Sequence, residues 1–155
     1  MSENLRILQI KIEHLGRMRG DVQHSIGKLQ GPLVKIERGD VSALTPDERE
    51  TLSAFTTRFA TYQEHIGKIM KSVAIEEESA TSPFGAILAL MEKFNILDSV
   101  EKWKDVRELR NSVNHEYEDN ANELYQILSN MVNSCPWLFS VDGRLAAFVR
   151  ENYEP

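Results

Sequence analysis

Cysteine occurs once, at Cys135, so no internal disulfide framework can form and a reducing compartment is expected. That residue reads as a small buried hydrophobe beside a helix end and not as a reactive thiol. No apolar run approaches the roughly 20 residues that a bilayer span requires, so no membrane partner is expected. The opening residues lack the charged-then-apolar order of a leader peptide, which makes cytoplasmic residence the expectation. A glycine-rich phosphate loop is missing, because Gly16, Gly20 and Gly27 fall inside a helical pattern. Metal motifs are missing too: His14, His24, His65 and His115 are scattered, no HExxH or CxxC spacing occurs, and no metal or other cofactor is expected. Positive charge is scarce, with 18 Lys and Arg against 24 Asp and Glu and a net charge of −6. That balance argues against a nonspecific nucleic-acid binder while leaving room for one small basic site.

What is present is helical periodicity. At 155 residues and 41% hydrophobic, the chain has material for one core, and residues 1–155 read as a single domain. Leu5, Leu8, Ile12, Leu15, Val22, Ile26 and Leu29 form one stripe on a long first helix. Ser2 is its expected cap and Gly31-Pro32 its expected stop, followed by a loose connection to residue 45. Thr45-Pro46-Asp47-Glu48 makes a capping box for a second helix, striped by Leu52, Phe55, Phe59, Tyr62, Ile66, Ile69 and Val73. Arg58 and His65 flank that stripe, either as an accessory polar site or as ordinary surface. A polar loop over 76–82 precedes a short apolar helix from Ser82-Pro83 to Phe94. Asp98-Ser-Val-Glu101 reads as another capping box, opening a helix toward Tyr117. Asn120 with Glu123 caps a helix expected to stop at Pro136, with a turn at Asp142-Gly143 and a short helix over Leu145 to Val149. No stretch alternates in the manner of a strand, and no internal repeat appears. The expected fold is all-α, an antiparallel four-helix up-and-down bundle with additional short helices.

The chemistry concentrates in Trp103-Lys-Asp-Val-Arg-Glu-Leu-Arg-Asn-Ser-Val-Asn-His-Glu-Tyr117. A near-neutral imidazole moves a proton and a guanidinium holds a phosphate bidentately, a pairing suited to a phosphodiester. Lys102, Lys104, Arg107 and Arg110 fall close together, so an anion site is expected there. Their interleaving with Glu101, Asp105 and Glu108 equally fits a solvated helix face. On a regular helix Arg110 and His115 point about 140° apart. Either the helix tightens near its end or a twofold axis brings a second copy alongside. Read without other context, Arg, Asn and His near a helix end also serve as bonds to terminal carbonyls.

The run Arg110-Asn111, three residues, His115, one residue, Tyr117 resembles the Arg-Asn-x-x-x-His-x-Tyr signature of the HEPN superfamily, in its HepT-like branch. Arg58, Phe59, Gln63 and Glu64 resemble the second helix of the same group, so the likeness runs from about Leu44 to Leu128. It implies a HEPN-like bundle that dimerises, and a metal-independent endoribonuclease toxin of a toxin–antitoxin pair. His115 would then serve as general acid or base, with Arg110 stabilising charge on phosphorus and Asn111 orienting the imidazole or a phosphate oxygen. Arg107, Asn114 and Lys104 would bind RNA. Tyr117 would be the residue adenylylated by a minimal nucleotidyltransferase antitoxin. DNA, lacking the 2′-hydroxyl, is not an expected substrate. The alternative is a non-enzymatic helical accessory or substrate-binding subunit of a nucleotidyltransferase, a reading favoured by the acidic balance.

Overall fold

The computed structural model describes residues 2–111 and 120–154. Within them the chain is all-α: α1 (Glu3–Ile26), α2 (Gln30–Glu37), a 3-10 turn (Val41–Ala43), α3 (Pro46–Glu76), α4 (Phe84–Lys93), α5 (Val100–Asn111) and α6 (Ala121–Tyr153). Among the described residues no helix is long and apolar enough to cross a membrane.

The starts of α1, α3 and α6 are each set by a short polar side chain that satisfies orphan N–H groups. Ser2 accepts from Leu5 N at 3.0 Å, Thr45 and Glu48 complete the capping box of α3, and Asn120 accepts from Glu123 N at 3.1 Å. Lys35 of α2 reaches Glu48 at 2.6 Å, tying α2 to that box and holding the Glu48 carboxyl below its usual range. One cap differs from expectation. Ser99, not Asp98, caps α5 by accepting from Lys102 N at 3.0 Å. Asp98 instead accepts from Trp137 Nε1 of α6 at 2.8 Å.

Two other boundaries move. Gly31-Pro32 does not stop α1, which already ends at Ile26, but lies in the first turn of α2, where a proline needs no N–H partner. Its neighbours Leu29 and Ile36 are buried, so packing orders a segment that composition marks as a loop. Pro136 and Asp142-Gly143 do not break α6, which runs through both. Pro136 itself is exposed, while Met131, Cys135, Trp137, Leu138 and Val141 around it are buried and hold the axis.

α1 runs antiparallel to α3, along the part of α3 from about residue 58 to 76. Asn4 near the start of α1 bonds Ser72 O and Glu76 near the end of α3, whereas Arg58 bonds Ser25 Oγ at 2.8 Å at the opposite end. α6 runs in the same direction as α3, since Tyr62 meets Asp142 and Glu77 meets Tyr153. The core is filled by Leu8, Leu15 and Val22 of α1, the α3 stripe from Leu52 to Val73, and Leu124, Leu128, Leu138 and Leu145 of α6. α4 and α5 cover one side of α3, and the candidate site lies in that seam.

Candidate functional site

α5 is amphipathic in a way that aims its cations. Trp103 and Val106 are buried against α3 and α6, which fixes the rotation of the helix. Arg107 lies one turn beyond Trp103 and Arg110 another turn on, on the same flank. Together they line a cavity of about 260 Å³ with Gln63, Glu64, Gly67, Lys68 and Lys71 of α3 and Phe84 of α4.

The floor of this cavity is closed at Gly67, where a Cβ would stand 3.5 Å from Trp103 Cζ2 and 3.6 Å from Phe84 Cζ, ordinary contact distances, so the two rings pack directly against α3. Among the described residues the walls are mainly cationic: Lys68, Lys71, Arg107 and Arg110 line the cavity together with Glu64, whose carboxylate pairs with Lys68 at 3.7 Å. Gln63 is 2% exposed, and its Oε1 has no hydrogen-bond partner among the described residues. A buried carboxamide oxygen left without a donor is costly and rare in a folded protein.

The structure separates the expected site residues. Arg107 and Arg110 are brought together in the cavity. Lys104 is exposed and pairs with Glu101 at 3.6 Å, on the flank expected for a solvated face and away from the cavity. Asn111 is exposed at the last position of α5. Asn114, His115 and Tyr117 lie outside the described residues. Gln63 entered the sequence reading only through the family likeness, while Gly67, Lys68, Lys71 and Phe84 did not enter it as site residues. A glycine among large apolar residues, followed at one and four positions by lysines, was the available signal.

The other polar candidates prove structural. Arg58 and His65 do not form one site: Arg58 holds Ser25, and His65 Nε2 lies 3.3 Å from Lys11 O. Both pin α1 to α3. Burial lowers the His65 pKa, with the Lys11, Lys68 and His14 charges acting in the same direction. Cys135 is buried, and burial pushes its thiol up to about 12, far from thiolate reactivity at neutral pH. Among the described residues no three His, Cys, Asp or Glu side chains gather where they could share a metal ion. Comparison of the chain with family models, with curated proteins and with solved structures returns no match.

Proposed function

We propose that this chain is a HEPN-superfamily protein of the HepT-like kind, acting as a metal-independent endoribonuclease toxin in partnership with a minimal nucleotidyltransferase antitoxin. One observation carries the reading: in a protein of net charge −6, Arg107 and the motif residue Arg110 converge with Lys68 and Lys71 on one cavity. An acidic body that gathers four cations around a concave site is built for a compact anion, and a phosphodiester is the anion that the Arg/His motif suits. The antiparallel α1–α3 pair, with α6 directed as α3, supports a HEPN-like four-helix up-and-down arrangement with α5 as its remaining member.

In this mechanism His115 takes the proton from a ribose 2′-hydroxyl, whose oxygen attacks the adjacent phosphorus. Arg110 stabilises the added negative charge on the phosphoryl oxygens, and the P–O5′ bond breaks as that oxygen takes a proton from the imidazolium of His115 in a second copy of the chain. The products carry a 2′,3′-cyclic phosphate and a 5′-hydroxyl. The nucleophile belongs to the RNA itself, so the scheme routes no step through a metal. The second reading, an accessory subunit that binds without cutting, draws on the same cavity, because aromatic walls and a buried amide serve binding alone.

The test is cleavage of RNA by purified protein in excess EDTA, with end-group analysis. Wild type is expected to leave 5′-hydroxyl ends, and Arg110→Ala and His115→Ala each to lose about 100-fold or more with unchanged helical circular dichroism. Full cleavage by His115→Ala would overturn the mechanism. Absence of cleavage by wild type, with RNA still bound, would install the accessory reading.

A further inference from the structure

We infer that the cavity between α3, α4 and α5 is a nucleobase pocket: the base lies against the half-buried Phe84 ring, the buried Gln63 Oε1 accepts an N–H from its edge, and its phosphate lies on Arg107 and the neighbouring cations. Identifying the nucleotide as part of an RNA strand rests on the function proposed above, whereas the pocket chemistry rests on the cavity alone.

Size comes first. Pockets for drug-sized ligands run upward from roughly 300 Å³, and this one encloses about 260 Å³. It accommodates a single flat ring system. The exposed aromatic surface comes from Phe84, which is half-buried, with Trp103 sealed beneath it, and an aromatic face holds a base of any sequence by stacking.

Polarity narrows the ligand further. The cavity rim carries Lys68, Lys71, Arg107 and Arg110 against the carboxylate of Glu64. A neutral aromatic ligand would leave those charges unused, and a bare phosphate would leave the aromatic floor unused. A nucleotide uses both. Gln63 then accounts for the remaining feature, because its unpartnered acceptor, 2% exposed, is satisfied by an amino or imino N–H of a base. Adenine is the preferred probe: its 6-amino group donates where purine, otherwise the same shape, has no donor.

Isothermal titration of the full chain with four probes tests this: 5′-AMP, purine riboside 5′-monophosphate, ribose 5-phosphate and inorganic phosphate. AMP is expected to bind, purine riboside 5′-monophosphate roughly tenfold more weakly for the lost hydrogen bond, and the two ringless probes more weakly still. Gln63→Leu is expected to remove the gap between AMP and the purine analogue while both remain tighter than ribose 5-phosphate. Arg107→Ala is expected to weaken all phosphorylated probes. Thermal melting of each variant separates lost binding from lost fold, and a variant that does not fold is replaced by Gln63→Met or Arg107→Gln. Three results would overturn the pocket: no binding of AMP, equal binding of AMP and ribose 5-phosphate, or an AMP-over-purine preference that persists in folded Gln63→Leu. AMP binding in a protein that never cuts RNA would remove the nuclease and leave the pocket. Cleavage of RNA by a protein that ignores AMP would do the reverse.

Discussion

Asp142 is 2% exposed and accepts from Tyr62 at 2.6 Å and from Arg19 at 2.9 Å, joining α6 to α3 and α1. Burial, reinforced by this carboxylate, pushes the Tyr62 hydroxyl up from its ordinary range, so that hydroxyl is a donor at neutral pH. Asp142→Ala therefore strands a buried phenol and a half-exposed guanidinium together. The expected cost is about 2–3 kcal/mol, read as a lower urea midpoint with an unchanged slope. A loss below about 0.5 kcal/mol would show that water replaces the carboxylate at little cost. Sequence reading placed Asp142 in a turn, because Asp-Gly is a strong turn signal and burial cannot be seen along a chain. Gln63 is named in the sequence only through the family likeness, and its burial is hidden for the same reason, since a glutamine on a helix is usually solvated. Arg107 and Arg110 were legible because cations crowding one side of a buried tryptophan form a pattern that a helical period exposes.

At the scale of elements, ends proved more legible at the N-terminal side than at the C-terminal side. Ser2, Thr45 with Glu48, and Asn120 act as read, since a cap is a local bond between neighbours. Helix termination depends on tertiary packing as well as on the local residues. Pro136 is tolerated because buried residues on both sides keep α6 continuous. Three helices close instead by paired backbone bonds around a left-handed residue, with Gly39 after α2 (φ 81°), Glu78 after α3 (φ 55°) and Asn95 after α4 (φ 59°). After α3, Glu78 N bonds Ile75 O at 3.0 Å and Ser79 N bonds Ala74 O at 2.9 Å. Glycine and asparagine adopt that conformation readily, whereas a glutamate is strained in it. Glu78→Gly is accordingly expected to stabilise the protein by about 1 kcal/mol, seen as a higher midpoint in denaturant. A lower midpoint would mean that the glutamate side chain contributes more than its backbone conformation costs. The position resists sequence reading because nothing in Glu76-Glu77-Glu78 marks which residue turns left-handed.

Across the whole molecule, charge sets the terms for pairing two copies. The chain carries −6 overall, so most faces of one copy repel the matching faces of another. α5 is an exception: between Val100 and Asn111, Lys102, Lys104, Arg107 and Arg110 stand with Glu101, Asp105 and Glu108, four cations against three carboxylates. Twofold contact along this helix meets no excess of like negative charge, and its exposed residues of both signs can cross-pair. Such a dimer would also set two Arg110-bearing cavities near one axis, giving a composite cleft in which one copy protonates the leaving oxygen while the other activates the 2′-hydroxyl. Light scattering at micromolar protein is expected to return about twice the 17.7 kDa of the chain. Reversing Lys104 and Arg107 to glutamate, which turns that balance acidic, is expected to shift the mass toward the monomer. The shift should weaken at higher salt, since screening removes the added repulsion. A wild-type monomer at those concentrations would dissolve the composite cleft, and with it the division of acid and base between two copies, while the cavity within each copy would persist.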